Sequence, residues 1–217
     1  MNIRRSLGAI DKTIAKPKNN NLASAIEFKD WMILLWHVGG SSDDMANLKL
    51  ANLDYSGDQP CIIYKRAKHR GTKTKMGGKT REPVKFPVEE TLKALMLKRI
   101  NMANQKGHEL LFPLMSNKTS SARLKIFDKY LKYAGINKIK VEEGGVERSI
   151  KLHSFRYAVA CRMAECGISL SDAQYYLGHN CSAVARYYAG RASVKMEPLE
   201  DIEARCKATQ EAVTKVA

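Results

Sequence analysis

The chain has 217 residues, with 37 Lys and Arg against 22 Asp and Glu, so its formal net charge is +15. That length suits one domain or one and a half with a real core, and 44% hydrophobic content excludes a disordered tail. No apolar run approaches the roughly 18 residues that cross a bilayer; the longest, Trp31 to Val38, has less than half of that. Met1 to Arg5 is basic with no apolar segment after it, so no signal peptide is expected and the default location is the cytoplasm. Cys61, Cys161, Cys166, Cys181 and Cys206 form no CxxC pair, and their odd number argues against a disulfide framework. His and Cys never fall at ligand spacing, so no metal is expected.

Residues 1–22 read as a basic tail or linker from a missing N-terminal domain, closed by Pro17-Lys18-Asn19-Asn20-Asn21. From Ala23 to His37 the apolar residues Ile26, Trp31, Met32, Leu34 and Leu35 predict a helix with a wide buried face, ended by Gly39-Gly40. Ser41 or Ser42 then caps a short helix, with Asp43 and Asp44 in the first turn where the helix dipole favours acids. Cys61–Tyr64 and Pro83–Val88 read as two strands joined by a long basic loop. Helices follow over Glu89–Asn104 and Ser120–Tyr133, and Lys138–Val141 and Val146–Ile150 flank Glu143-Gly144-Gly145 as a hairpin. The remainder is helical: Ser154–Cys166, Ser171–Leu177, a short helix after Ser182, and Pro198–Val213. The fold class is mainly α with a small antiparallel β-sheet (α+β), with one domain over residues 23–196 and a C-terminal helix in 197–217.

A surplus of fifteen positive charges implies a polyanionic partner, because Lys and Arg that neutralise phosphates gain from counterion release. Their distribution points the same way. Lys65, Arg66, Lys68, Arg70, Lys73, Lys75, Lys79 and Arg81 follow one another without a carboxylate, a clustering that repels itself unless a phosphate backbone supplies the counter-charge. Nucleic acid is favoured over an anionic membrane, since no basic amphipathic helix occurs there. Arg66, Arg70, Lys73, Lys75 and Arg81 are therefore candidate DNA contacts, most of them to the phosphate backbone.

The chemistry concentrates in Leu152 to Tyr188. His153 and Arg156 are three apart at a helix start, so both lie on one face and can offer an imidazole and a guanidinium fork to one anion. Gly178 breaks a helix and leaves His179 on a turn. Tyr188 follows nine residues later. A tyrosine hydroxyl with its ordinary pKa of about 10 needs cationic surroundings to become a nucleophile. Each feature alone fits ordinary packing or a solvated helix; the combination with a basic hairpin does not fit as easily.

This arrangement resembles the catalytic domain of the tyrosine recombinases, the phage-integrase family. Its second motif block has HxxR, then Leu-Gly-His, then the nucleophilic Tyr, and His153, Arg156, Leu177-Gly178-His179 and Tyr188 fall on that pattern with matching spacing. Gly39 to Asp54 is similar to the first block, Thr-Gly-x-Arg-x-x-Glu-Leu-x-x-Leu-x-x-x-Asp, with one departure. Ser41 stands where the family carries its first catalytic arginine, and Asp44 stands where Glu is usual. Loss of such a donor is worth several kcal/mol of barrier, so either another basic residue, for example from the 65–81 loop, fills the gap, or the domain binds DNA and cuts it poorly.

The resemblance implies a metal-free, cofactor-free phosphoryl transfer on double-stranded DNA by a homo-tetramer that is monomeric when free, in the cytoplasm at the nucleoid. Tyr188 would be the nucleophile, and Arg156, His153 and His179 would hold the non-bridging oxygens. A hairpin lysine would protonate the leaving 5′ oxygen. Lys68, directly after the strand Cys61–Tyr64, is favoured for that role over Lys79, which sits at the usual distance before Val84–Pro87. Tyr187 is the rival nucleophile, and spacing prefers Tyr188. No GxxxxGK[ST] or GxGxxG pattern points to a nucleotide. A site-specific recombinase of a mobile element is the leading expectation; a type IB topoisomerase and a catalytically silent DNA-binding module are the alternatives.

Overall fold

The computed structural model describes residues 10–11, 22–57, 59–66, 83–136 and 150–178 with their side chains, and 141–143 and 146–148 by backbone. Leu22–Val38 forms helix α1, in which Ala25, Phe28, Trp31, Met32, Leu34, Leu35 and Val38 are buried together with Glu27 and Asp30. Burial around most of the circumference marks a helix inside the core. The chain turns at Gly39, whose φ of +66° suits a residue without Cβ; a Cβ there would also sit 2.8 Å from Val159 Cβ.

Ser42–Ala46 forms α2, capped by Ser41 rather than Ser42: the Ser41 hydroxyl accepts from the Asp44 amide at 3.1 Å. A 3₁₀ turn over Leu50–Asn52 leads into a three-stranded sheet. Its strands are β1 (Leu53–Asp54), β2 (Cys61–Tyr64) and β3 (Val84–Pro87), antiparallel in the order β1-β2-β3. Tyr64 pairs with Val84 and Cys61 with Pro87, so the predicted pair of strands is present in the predicted places. β1 was not expected; two residues are too short for a period-two signal.

Helix α3 covers Glu90–Gln105, α4 Pro113–Ser116, α5 Ser120–Tyr133. The four-residue α4 escaped the sequence reading for the same reason as β1, although its Pro at the first position is a helix-start signal. Val141–Glu143 (β4) pairs with Val146–Arg148 (β5), so a hairpin is present, with Glu143 in its first strand rather than in the turn; residues 138–140 of the expected strand lie outside the described residues. Helix α6 spans Ser154–Glu165 and α7 Leu170–Leu177, each within a residue of expectation. The predicted helices after Ser182 and over Pro198–Val213 lie outside the described residues.

Helix α1 is the hub, packed by α2, α3, α4 and α6; α7 bridges α6 and β3. Its two buried acids are held by α3. Arg99 Nη2 donates to Glu27 Oε2 at 2.9 Å and to the Leu111 carbonyl at 2.7 Å, while Glu27 Oε1 accepts from the Met115 amide at 2.8 Å. Lys98 closes on Asp30 at 2.9 Å. The domain is thus mainly helical with small antiparallel sheets, the class the sequence implies. Among the described residues no helix is long and apolar enough to cross a membrane.

Candidate active site

The C-terminus of α7 organises the site. Gly178 is its cap, with φ +58° in the left-handed region. A Cβ there would lie 2.7 Å from Val84 Cγ2 and 2.9 Å from Arg66 Cδ, so only glycine lets this turn rest against the base of the β2–β3 hairpin. The strand ends that carry the basic loop therefore abut the turn that leads into His179.

Arg156, in the first turn of α6, is 1% exposed. Its Nη1 donates to the Gly39 carbonyl at 3.0 Å and its Nη2 to the Leu177 carbonyl. One guanidinium fork thereby ties the end of α1, the start of α6 and the end of α7 together. Gly39, read in the sequence as a helix stop and as the start of the first motif block, is one of its anchors. His153 is the N-cap residue of α6, with its backbone in the right-handed region and no side-chain capping bond. Its ring is exposed and meets Tyr157 edge-on at 5.4 Å. The Arg156 amide donates to the His153 carbonyl at 3.0 Å, so the two residues occupy one turn as predicted, one buried and one facing outward.

Arg66 was read as a DNA contact of the basic loop, and its surroundings are different. It is 8% exposed. Nη1 donates to the Gly178 carbonyl at 2.6 Å, and Nε lies 3.7 Å from Asp44 Oδ2. A buried carboxylate 22 positions earlier and a carbonyl 112 positions later draw it inward, and neither is visible as a local pattern. Asp44 is itself 3% exposed and accepts from the Ser41 hydroxyl at 2.7 Å. Ser41 thus spends its hydroxyl on Asp44 and the start of α2.

Tyr64, which the sequence reading missed, completes the group. It is 4% exposed. Burial pushes its phenol up to about 12, with Arg156 pulling it down, Asp44 pushing it up and Arg66 pulling it down. It therefore stays a protonated donor across the physiological range. A tyrosine ending an apolar strand immediately before a basic run was the available signal. Lys68, Lys79, Arg70, Lys73, Lys75, Arg81, His179, Tyr187 and Tyr188 lie outside the described residues.

The described residues thus form a mainly helical domain with a three-stranded sheet, whose helix ends converge on a buried arginine. Solved structures share that fold. The XerH site-specific recombinase bound to palindromic difH substrate matches with TM-score 0.60 and 17% identity over 88% of this chain and 48% of its own. A lambda integrase dimer bound to a COC′ core site matches with TM-score 0.57 and 17% identity over 90% and 60%. The Tn1549 transposon integrase in complex with transposon right end DNA matches with TM-score 0.56 and 13% identity over 96% and 64%. This chain thus spans less than two thirds of each of these proteins. No curated protein matches the sequence significantly. The phage integrase family matches residues 18–193, and the chain belongs to that family.

Proposed function

We propose that this chain is the catalytic domain of a site-specific DNA recombinase that cleaves and rejoins strands for the integration or excision of a mobile element. The observation that carries the reading is Arg156: an almost fully buried guanidinium that locks the start of α6 against the turn before His179. A residue pre-set in that way loses little freedom when a phosphate arrives, which is what electrostatic preorganisation requires.

In this reading Tyr188 Oη releases its proton to water, eased by the cationic surroundings, and attacks the phosphorus of a DNA phosphodiester. The P–O5′ bond breaks, a 3′-phosphotyrosyl bond forms, and Lys68 (Lys79 as the alternative) gives its proton to the departing 5′ oxygen. Arg156, His153 and His179 neutralise the non-bridging oxygens. A 5′-hydroxyl from a second duplex then attacks the phosphotyrosine, restoring a phosphodiester and the tyrosine hydroxyl. Bond energy is conserved, so no cofactor is consumed. Arg70, Lys73, Lys75 and Arg81 hold the DNA backbone, double-stranded DNA at the nucleoid is the partner, and a homo-tetramer on DNA, monomeric when free, is the working assembly. Residues 23–196 act as the catalytic unit, with 1–22 linking to a further domain and 197–217 docking on a neighbouring protomer.

The test is incubation with a nicked half-site duplex followed by denaturing electrophoresis. A retarded protein–DNA band in the wild type that disappears in Tyr188→Phe supports the reading; its loss in Tyr187→Phe instead moves the nucleophile by one residue. One observation favours a second reading, a DNA-binding module that does not cut. Ser41 carries no charge, and its hydroxyl is committed to Asp44. Salt-sensitive binding of a cognate site without any covalent band would select that module.

A further inference from the structure

Charged and polar groups from three distant parts of the chain meet beside the α7 cap. Ser41 Oγ donates to Asp44 Oδ2 at 2.7 Å, and Arg66 Nε approaches the same oxygen at 3.7 Å. The Arg66 guanidinium therefore reaches the start of α2 from the far side, off the end of β2. Its Nη1 and the Nη2 of Arg156 donate to the carbonyls of Gly178 and Leu177, two consecutive residues. Two guanidiniums are thus gathered on one turn.

We propose that Arg66 is the second guanidinium of the phosphate site, supplying from the end of β2 the positive charge that Ser41 cannot supply from the start of α2. The inference rests on the strand-transfer reading above and deepens it.

Charge balance supports it first. The charged groups acting on the Tyr64 hydroxyl are Arg156, Asp44 and Arg66, two positive and one negative. These groups are at most 8% exposed, so water screens them little, and two guanidiniums beside one carboxylate attract an anion such as a phosphodiester. Open donors support it second. Arg66 Nε and the Tyr64 hydroxyl are both buried without a hydrogen-bond partner, a costly state that a phosphate oxygen relieves. Trp31 Nε1, Arg123 Nε and Arg162 Nε are also buried without a hydrogen bond; what sets Arg66 and Tyr64 apart is that both lie beside Arg156. The third support is steric. Gly178 lacks the Cβ that would lie 2.9 Å from Arg66 Cδ, so the turn accommodates this particular stem.

The experiment measures the rate of covalent trapping on the nicked half-site for the wild type, Arg66→Met, Ser41→Arg and the double variant, with half-site affinity and thermal unfolding recorded for each. Arg66→Met keeps the apolar stem and removes the charge. It is expected to slow trapping about 100-fold, the loss typical of one transition-state donor, with little change in half-site affinity. Ser41→Arg in that background is expected to recover roughly tenfold or more of the rate, because charge returns to the same place from another residue. A purely structural Arg66 would not respond to Ser41→Arg. Trapping by Arg66→Met at the wild-type rate overturns the inference, as does a loss that Ser41→Arg does not relieve. If Arg66→Met does not fold, Arg66→Gln, which also removes the charge, replaces it, and the same response to Ser41→Arg decides. A wild type that forms no covalent band fails the strand-transfer reading itself, whereas a wild type that traps DNA no faster than Arg66→Met fails this inference alone.

Discussion

Glu27, Asp30, Lys98 and Arg99 form one group of charges, between α1 and α3; Asp44, Arg66 and Arg156, with Tyr64, form another at the end of α7. In the first, two carboxylates meet two cations, Glu27 is also bonded by the Met115 amide, and Arg99 also donates to the Leu111 carbonyl. In the second, two guanidiniums stand with one carboxylate, and two buried donors lack hydrogen bonds. Apart from Lys98, whose side chain is 49% exposed, the members of both groups are buried, so burial alone does not mark a site. What separates them is open donors: the first group has none among its buried atoms, and the second holds Arg66 Nε and the Tyr64 hydroxyl without hydrogen bonds.

Substitutions can break this comparison or sharpen it. The largest effect is expected for Arg156→Ala. It removes the donor from the Gly39 and Leu177 carbonyls and a charge from the site, so trapping should fall about 1,000-fold, with roughly 3 kcal/mol lost from stability. Single-turnover trapping and urea unfolding measure the two effects separately. Glu27→Ala should cost a similar amount of stability, about 3 kcal/mol, because buried Arg99 loses its closest carboxylate and keeps only Asp30 at 3.6 Å. Trapping per folded molecule should stay at the wild-type level; if it fell as well, the two groups would not be independent.

A smaller effect is expected for Gly178→Ala. The left-handed backbone costs about 1–2 kcal/mol with a Cβ present, and that Cβ would press on Val84 and Arg66. Stability and trapping should fall together, and an additional Arg66→Met should then cost less than it does in the wild type. The smallest effect belongs to Tyr64→Phe. Its hydroxyl has no hydrogen-bond partner, so stability at pH 7 should change by less than about 1 kcal/mol. The alkaline range distinguishes the two proteins. The folded phenol holds its proton up to about 12 against an ordinary 10.0, so the folded state binds more protons between those values. Wild-type stability must therefore decline as pH rises from 10 through 12. Tyr64→Phe lacks that decline, and urea unfolding at both ends of the window reads the difference.

The sequence made much of the frame legible. Apolar spacing located α1, glycines located the ends of α1 and α7, and the Cys61–Tyr64 and Val84–Pro87 strands stood out on either side of a run of lysines and arginines. His153 and Arg156 were found by spacing, and they do share one turn. Burial of charge was not legible. Arg66 looked like one more cation of a basic loop, because the groups that draw it inward, Asp44 and Gly178, are far away in the chain. Nothing in the local pattern marks Glu27 and Asp30 as buried, and their partners come from α3 about 70 positions later. Local pattern reports periodicity and caps; it cannot report which carbonyl or carboxylate the fold brings to a guanidinium. The role of Ser41 was half legible: a cap by residue type, but its bond to the one carboxylate shared with Arg66 required the structure.

The central claim is that this domain joins DNA to Tyr188 through phosphorus. Its most direct test is to trap the protein on a nicked half-site, digest both components, and map the adduct by mass spectrometry. The account predicts a 3′-phosphonucleotide on the peptide containing Tyr188, at that residue, and none on Tyr187. Retained half-site binding with no adducted peptide would contradict it and leave a DNA-binding domain without strand-transfer chemistry.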